Sequence, residues 1–417
     1  MKRGGSVKLL IHSINYAPDM IGVAKYTTEM SEWLAARGHH VCVVTAPPYY
    51  PAWRIRDGFS GGRYAGERHA GVDVIRCPLY VPRVPHGMRR MMHLLSFAVS
   101  SFPVVIWKSL VWRPDLIICT APTIVAAPAS FVAAKLIGAA SWLHVQDFEI
   151  DAAFDLGLVR NAGFRKVAIA IERFVMRAFD RVSSISQAMR RRLSEKGVPE
   201  GRTVEFRNWV DTSVILPLSG ANAYRSELGI SQDDTLLLYS GNIGQKQGLE
   251  IVVDAARKLR SRSDIHFLIC GDGPGRDELA ASVSDLTNFH FKPLQPAARF
   301  NELLNAADVH LLPQQAGAAD LVLPSKLTGM MASGRPVVAT AGPGTGIASE
   351  LDGCGLVVPP GDVEAFSRAI LELSDDPARR RVLAAAARIH AEETFARDLV
   401  LEKFLLCCRD LVQAKNS

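Results

Sequence analysis

Short apolar runs that alternate with helix-length segments are the feature that most constrains how this chain can fold. Each half of the sequence contains six such runs, at residues 7–14, 41–45, 72–76, 116–120, 142–145 and 182–185, and at residues 236–239, 267–270, 289–291, 309–312, 337–340 and 356–358. Nearly continuous apolar strands separated by helices are typical of parallel sheets that helices cover on both faces. We therefore predict an α/β fold with two Rossmann-like domains of six parallel strands each.

The break between the two sets of strands marks the predicted domain boundary. A chain of 417 residues exceeds what one hydrophobic core usually serves. The alternation stops at residues 204–223, where Pro217, Ser219 and Gly220 predict an interdomain connection. We place the N-terminal domain at residues 1–208 and the C-terminal domain at residues 209–394. The helical segment that follows has an apolar face, which needs a docking surface.

Charge and cysteine content narrow the class of protein. A formal net charge of +6 is too small by itself to indicate a nucleic-acid partner. The seven cysteines have no CxxC spacing and most lie in apolar runs, which favours a reducing cytoplasm. The first apolar run contains Lys8 and His12 and no small-residue cleavage site follows it, so we identify no signal peptide.

One segment suggests a membrane surface. Residues 74–114 contain six basic residues and no acidic residue, which favours anionic headgroups or a phosphorylated ligand. The apolar stretch at residues 91–112 is interrupted by Pro103 and Lys108. It is therefore expected to lie in a membrane surface rather than to cross the bilayer, and burial as a core helix is an equally good interpretation.

The segment at residues 323–340 predicts a helix start suited to an anion. Ser325 is expected to cap the helix, Lys326 lies in its first turn directly after Pro324, and Gly334 is expected to end it. The unpaired N–H groups of a helix start, together with a lysine, suit a phosphate or diphosphate. The alternative is an ordinary helix with a solvated lysine.

Ligands of open parallel sheets bind at the carboxyl ends of the strands. Polar or glycine-containing loops follow four of the predicted strands; their candidate residues are Tyr16 and Gly22, then Gln146 and Asp147, then Asn242 and Lys246, and finally Gly271 and Asp272. Asp147, Glu149 and Asp151 bring three carboxylates to one strand end, where they would repel one another without a partner. None of the glycine loops matches GxGxxG or a Walker A motif, which argues against dinucleotide dehydrogenases and P-loop NTPases.

The motifs together resemble retaining glycosyltransferases of family 4, which have the GT-B architecture. The resemblance covers nearly the whole chain and rests on INYAPDMIGVAKYTTEMSEWLAARGHHVCVVTAPPYYP, HVQDFE, LYSGNIGQKQGLE, GDGPGRDELA, LPSKLTGMMASGRPVVAT and GLVVPPGD. Taken together, the motifs look like the WcaI-type enzymes of colanic acid and related exopolysaccharide synthesis. It implies two Rossmann-like domains that face each other across a cleft, with the helix at about residues 395–417 packing back on the N-terminal domain.

The resemblance also implies the chemistry. It implies transfer of a sugar from a GDP- or UDP-linked donor to a glycan acceptor, with the N-terminal domain on the acceptor side and the C-terminal domain holding the nucleotide. Gly22 would present its amide to the diphosphate, and Lys326 with Ser325 would neutralise the leaving group. The sequence departs from the family where Asn242 takes an arginine position, Gln146 precedes Asp147, and Leu321 and Gly329 replace a glutamate pair.

These observations give one set of expected residues and partners. The expected catalytic residues are Asp147, Lys326 and Gln146, and the expected substrate-binding residues are Gly22, Tyr16, Asn242, Lys246, Gly271, Asp272, Ser325 and Pro324. The expected partners are a nucleotide sugar, a lipid-linked oligosaccharide and an anionic membrane surface, with no metal, no other cofactor and no nucleic acid. We expect a cytoplasmic protein, peripheral at the inner membrane face. A nucleotide-sugar epimerase of the same architecture and a non-catalytic scaffold of a polysaccharide assembly complex are the alternatives.

Overall fold

The strands of the described residues form two separate sheets. The structure is a computed structural model, and it describes residues 5–84, 87–121, 124–148, 162–244, 247–315 and 323–416. The chain divides into a first unit, Met1–Arg207 with Leu401–Ser417, and a second unit, Asn208–Val400. Each unit contains one of the sheets.

The first unit contains an eight-stranded sheet. Its strands are β1 (Lys8–Ser13), β2 (His40–Thr45), β3 (Ala65–His69), β4 (Val72–Arg76), β5 (Leu116–Ala121), β6 (Ala140–Val145), β7 (Arg181–Ser184) and β8 (Thr203–Glu205). The order is β3-β4-β2-β1-β5-β6-β7-β8, and β3 alone pairs antiparallel, with β4. β1, β5 and β6 are almost entirely buried, as expected for parallel strands that are covered on both faces.

Helices cover this sheet on both faces. They are α1 (Val23–Ala36), α2 (Gly87–Trp112), α3 (Ala127–Ile137), α4 (Ala162–Ala178) and α5 (Gln187–Glu195). On one face, α2 and α3 pack against β1, β2 and β5 in a shared apolar core. His12 of β1 joins them, because its two ring nitrogens each lie 2.9 Å from a serine hydroxyl oxygen, that of Ser130 in α3 and that of Ser101 in α2.

The second unit contains a six-stranded, all-parallel sheet. Its strands are β9 (Thr235–Ser240), β10 (Ile265–Cys270), β11 (Phe289–Lys292), β12 (Val309–Leu312), β13 (Val337–Thr340) and β14 (Gly355–Val358). The order is β11-β10-β9-β12-β13-β14, which is the strand order 3-2-1-4-5-6 of a Rossmann fold. The register pairs Leu237 with Phe267 on one side and with Val309 on the other. All three side chains are buried in one apolar cluster.

The helices of the second unit are short except near its end. They are α6 (Ala223–Leu228), α7 (Glu250–Lys258), α8 (Arg276–Ser282), α9 (Phe300–Ala306), α10 (Ser325–Ala332), α11 (Gly346–Glu350), α12 (Val363–Asp375) and α13 (Pro377–Thr394). Gly334 ends α10 with a φ of 64°, the left-handed conformation predicted for it. A Cβ there would lie 2.7 Å from Pro217 Cγ, so the close approach also requires glycine.

The C-terminal helix α14 (Arg397–Asn416) packs on the first unit, as predicted. Phe404 stacks on Phe206 with ring centres 4.1 Å apart and contacts Trp142 of β6 edge-on at 5.0 Å. Near its end, Lys415 forms an ion pair with Asp180 at 3.0 Å. The apolar face of this helix is thus buried where the chain returns to the first unit.

All twelve predicted strands are present, but the prediction of six strands in each half is wrong for the first unit. The two additional strands are β3 and β8. Every residue of β3 is exposed, because it is an edge strand, and its sequence AGERH has no apolar alternation. β8 has three residues and overlaps the start of the segment that we interpreted as a connection.

Candidate functional site

The order of the second sheet reverses at β9. The chain runs from β9 to β10 and β11 on one side, and from β12 to β13 and β14 on the other. In sheets of this kind, ligands bind outside the carboxyl ends of the strands at the reversal point. The loops that follow β9, β10 and β12, together with the start of α10, are therefore the candidate site of this unit.

Lys326, in the first turn of α10, directs its ammonium group to the end of β9. Its Nζ lies 3.1 Å from the Tyr239 hydroxyl oxygen and 3.0 Å from Oε1 of Gln247. It also lies 4.2 Å from the centre of the Tyr239 ring. The Tyr239 hydroxyl donates a hydrogen bond of 2.6 Å to the carbonyl oxygen of Asn242. These contacts fix the ammonium group beside the loop that follows β9.

The charge of Lys326 has no carboxylate partner among the described residues; its hydrogen-bond acceptors are neutral oxygens. Burial lowers the pKa of Lys326 to about 7, because removal from water disfavours the charged form. Near neutral pH the side chain is therefore divided between ammonium and amine. A phosphate group placed against Nζ would favour the ammonium form.

The start of α10 has no side-chain cap. Pro324 occupies the cap position with φ −62° and ψ 124°, and Ser325 is the first helical residue. The prediction that Ser325 caps the helix is therefore wrong, because the extended cap conformation falls on the proline before it. The Ser325 side chain is exposed, and the first-turn N–H groups are not satisfied by a capping side chain, so they suit an anion.

Two glycines let the loops after β9 and β10 touch through their backbones. A Cβ on Gly271 would lie 1.8 Å from the carbonyl oxygen of Gly241, and a Cβ on Gly273 would lie 2.3 Å from that of Ile243. The Gly241 N–H donates to the Cys270 carbonyl oxygen at 2.9 Å. No side chain could replace either glycine without separating the two loops.

The predicted residues Asn242 and Asp272 are both exposed in this pair of loops. The carbonyl oxygen of Asp272 accepts from the Ile243 N–H at 2.9 Å, and its carboxylate accepts from the Gly273 N–H at 2.8 Å. Asp272 thus orders its own loop, and its exposed carboxylate faces solvent at the edge of the site.

Gln314, two residues after β12, adds a buried acceptor that the sequence analysis missed. Its backbone is held by Thr340: the Gln314 N–H donates to Oγ1 at 2.6 Å, and that hydroxyl donates to the Gln314 carbonyl oxygen at 2.8 Å. A Cβ on Gly248 would lie 3.2 Å from the Gln314 backbone. Oε1 of Gln314 is buried and has no hydrogen-bond partner among the described residues, an arrangement that costs about 1–3 kcal/mol.

In the first unit, the loop after β1 also occupies a reversal point of the strand order, between β2 and β5. Gly22 caps α1 with φ 58° and ψ −132°. A Cβ on Gly22 would meet nothing within 4 Å, so the backbone conformation rather than space requires the glycine. The first turn of α1 has neither a side-chain cap nor an acidic residue, which leaves its amides suited to an anion.

Buried polar contacts fix the residues that precede Gly22. Arg76 donates to the carbonyl oxygen of Ala17 at 2.7 Å, and Asp19 accepts from the Tyr49 N–H at 3.0 Å. Tyr16, predicted to bind substrate, is 2% exposed, because its ring packs in the core beneath this loop. Burial also raises the pKa of the Tyr16 hydroxyl above its usual range.

At the end of β6, Asp147 is exposed and Gln146 is 8% exposed. His144 is buried and bonded to a serine hydroxyl of β7, and burial lowers its pKa to about 3. It is therefore a neutral core histidine. Glu149 and Asp151 lie outside the described residues, so the predicted cluster of three carboxylates is represented by Asp147.

The predicted residues thus fall into two groups, one in each unit. In the second unit, Lys326 lies beside the loop that carries Asn242, and the Gly271 loop touches that same loop. Lys246 lies outside the described residues. Sequence reasoning missed Tyr239 and Gln247, although a tyrosine near the end of an otherwise aliphatic strand was an available signal.

Two family models match the chain. A glycosyl transferase 4-like domain covers residues 22–209, and the glycosyl transferases group 1 model covers residues 221–390. The provisionally assigned colanic acid biosynthesis glycosyl transferase WcaI of Escherichia coli (strain K12) is 42% identical over 410 residues, which are 96% of this chain and 99% of that protein.

Solved structures share the fold. Sucrose-phosphate synthase from Thermosynechococcus elongatus superposes with a TM-score of 0.75 at 19% identity, covering 98% of this chain and 100% of that one. HepE of Anabaena, in complex with UDP-glucose, superposes with a TM-score of 0.68 at 16% identity, covering 96% of this chain and 99% of that one. The predicted GT-B fold class is confirmed by these matches. The two family models and the near-full-length match to WcaI show that this chain belongs to the glycosyl transferase family that combines a 4-like domain with a group 1 domain, and that it is a glycosyltransferase.

Proposed function

We propose that the enzyme moves a sugar from a GDP- or UDP-linked donor to a lipid-linked oligosaccharide during synthesis of a colanic-acid-type exopolysaccharide. The name of the WcaI relative supports the pathway, and HepE, which shares the fold, binds UDP-glucose. The observation that carries the donor assignment is the ammonium group of Lys326, held at a strand end among neutral oxygens.

The donor diphosphate would lie against Lys326 and the uncapped start of α10. Glycosyl transfer breaks the bond between the sugar and the diphosphate oxygen, and negative charge develops on the leaving group. A cation that is already fixed by Tyr239 and Gln247 stabilises this charge without reorganisation. Ser325 and the backbone after Pro324 would add donors to the same phosphates. Because these groups supply the charge, we propose transfer without a metal ion.

The loops after β9 and β10 would border the nucleotide. Asn242 and Asp272 are exposed there, and Gly271 permits the backbone contact that holds the loops together. Lys246, in the same β9 loop, is proposed as a second cation for the diphosphate. Polar edges of this kind select orientation by a small number of hydrogen bonds.

The first unit would contribute the remaining groups. We assign the Gly22 amide to the diphosphate, since the first turn of α1 is uncapped. We assign Asp147 and the adjacent Gln146 to hydroxyl groups of the sugars, since the carboxylate is exposed at a strand end. The reaction is placed at the cytoplasmic face of the inner membrane, with the enzyme bound peripherally.

The proposal is tested by nucleotide release. Purified enzyme is incubated with UDP- and GDP-sugars and a membrane extract that contains lipid-linked acceptors. Lys326→Ala should lower the rate by about 10²–10³ with the unfolding transition retained, and EDTA should leave the wild-type rate unchanged. Lys258→Ala, at an exposed lysine of α7, is the matched control and should remain active.

Two results would overturn this proposal. Undiminished turnover in Lys326→Ala would remove the role of this lysine. A wild-type enzyme that releases nucleotide from none of these donors would exclude the proposed donor class and favour the scaffold alternative.

A further inference from the structure

We infer that α2, α3 and α4 of the first unit together form a membrane-docking face for anionic lipid headgroups. The inference rests on the proposed function, since a lipid-linked acceptor keeps the enzyme at a bilayer. The three helices are neighbours: α2 contacts α3, and α3 contacts α4. Phe131 of α3 also packs against Phe179, directly after α4, with ring centres 6.1 Å apart.

α2 is long and apolar enough to cross a membrane by composition, because it has 26 residues and contains an 18-residue window with a mean hydropathy of 1.7. However, Phe97 and Val105 are fully buried in the core of the first unit. Removing α2 from that core to span a bilayer would expose these contacts. Its opposite side presents Val99 and Val111, which are 73% and 69% exposed. The helix is therefore built to lie on a surface with its core contacts intact.

The exposed apolar side chains continue onto the neighbouring helices. Leu136 of α3 is 60% exposed, and Ile171 and Phe174 of α4 are 58% and 72% exposed. Both helices bury their other sides, as Ala133 and Met176 show. Apolar side chains on three adjacent helices thus face solvent together, which is typical of an interaction surface.

The charges on these helices identify the occupant. The three helices contain eight basic residues and one carboxylate, Glu172. Glu172 is 2% exposed and forms an ion pair with Lys196 at 2.5 Å, so it does not contribute a negative group to the exposed side. Among the described side chains of these helices, six basic ones are exposed: Arg89, Arg90, Lys135, Lys166, Arg173 and Arg177.

An anionic bilayer matches both the exposed apolar side chains and the excess of basic side chains on these helices. Its interface takes up apolar side chains, and its headgroups pair with lysine and arginine. A nucleic acid would leave the apolar side chains in water, and an uncharged bilayer would offer no negative groups to the basic side chains. The acid-free segment predicted from sequence ends before α3, whereas this face extends to α4.

The test is vesicle flotation of the full-length protein without substrates. Vesicles of phosphatidylcholine alone are compared with vesicles that include phosphatidylglycerol, at about 50 mM and about 500 mM salt. Wild-type protein should float with the anionic vesicles and lose about tenfold or more in affinity on neutral vesicles or at high salt. The double variant Ile171→Ser/Phe174→Ser should lose about tenfold on anionic vesicles.

Two controls isolate the surface. Leu294→Ser/Val382→Ser removes equally exposed apolar side chains, 66% and 67%, from the second unit and should bind like wild type. Turnover with a detergent-solubilised acceptor should be retained in the α4 variant, which separates docking from the proposed reaction. Lys135→Glu should also weaken binding, by about fivefold or more.

Three outcomes would overturn the inference. The first is wild-type protein that does not float with anionic vesicles, and the second is an α4 double variant that binds like wild type. The third is a wild-type dimer in light scattering that Ile171→Ser/Phe174→Ser converts to a monomer, because the face would then belong to a second copy of the chain.

Discussion

Tyr239 contacts Lys326 with both parts of its side chain: its hydroxyl oxygen lies 3.1 Å and its ring centre 4.2 Å from the lysine Nζ. Burial raises the pKa of Tyr239 above its usual range, so the hydroxyl keeps its proton. It donates a hydrogen bond to the Asn242 carbonyl oxygen. The tyrosine therefore positions the lysine without neutralising it. A ligand phosphate would therefore supply the negative charge that favours the ammonium form.

Donor binding should take up a proton through Lys326. Its pKa is lowered to about 7, so at about pH 8 most of the free enzyme carries the amine, and a diphosphate that favours the ammonium form raises this pKa. Affinity should rise as the pH falls from about 9 to about 7, by at most about tenfold per unit. Calorimetry of a nucleotide sugar in two buffers of different ionisation enthalpy measures the uptake.

Lys326→Met is the control for this experiment and should show no buffer-dependent heat. Nucleotide sugars are suitable because their diphosphate diesters do not titrate in this range. Equal binding enthalpies in both buffers for the wild type would contradict the assignment.

Gln314 should recognise a hydroxyl group of the donor nucleotide. Its buried Oε1 has no hydrogen-bond partner among the described residues, and such an acceptor gains about 1–3 kcal/mol when a donor satisfies it. Gln314→Leu should therefore weaken binding of the ribonucleotide about tenfold but leave binding of the matching deoxynucleotide unchanged. Titration of both nucleotides against both proteins measures this. Equal losses for the two nucleotides would assign Gln314 to packing.

The backbone contact of Gly271 with Gly241 should be required for donor binding. In Gly271→Ala, the new Cβ would meet the Gly241 carbonyl oxygen at 1.8 Å, so the loops after β9 and β10 must separate. We expect loss of nucleotide binding and a loss of stability of about 1–3 kcal/mol. Gly342→Ala is the control, because its Cβ would have its nearest neighbour at an ordinary 3.7 Å. Thermal shifts with and without nucleotide measure both effects.

The parts of the fold that the sequence predicted are those that local pattern determines. The buried parallel strands read as continuous apolar runs because helices cover both of their faces. The exposed edge strand Ala65–His69 has no such pattern. It forms because β4 offers it a pairing edge, and single-strand patterns do not contain that information.

The candidate site was predictable only in part for the same reason. Lys326 was found because a helix start is a local feature. Its contacts with Tyr239 and Gln247 join residues 87 and 79 positions apart, which only the folded sheet brings together. Tyr16 lies in a loop after a strand end, where ligands usually bind, but its side chain is buried in the core.

Phe404 should contribute strongly to the stability of the first unit. It is 3% exposed and stacks on Phe206, so Phe404→Ala removes a buried aromatic ring and should cost about 3–5 kcal/mol. Leu406→Ala, on the same helix but 57% exposed, is the matched control and should cost less than about 0.5 kcal/mol. Denaturant titration followed by tryptophan fluorescence compares them. Similar midpoints for both variants would show that α14 does not stabilise the first unit.

His12 should make the first unit sensitive to acid. Its ring is buried between the serine hydroxyls of α2 and α3, and burial lowers its pKa to about 3 from an ordinary value of 6.5. Between about pH 6.5 and about pH 3, the unfolded chain therefore binds a proton that the folded chain does not. The free energy of unfolding falls as the pH falls through that window. The slope from this group is at most about 1.4 kcal/mol per pH unit. His12→Gln should give a shallower loss of stability in acid than the wild type. Denaturation midpoints at a series of pH values measure it, and identical slopes for wild type and His12→Gln would contradict this origin of the acid sensitivity.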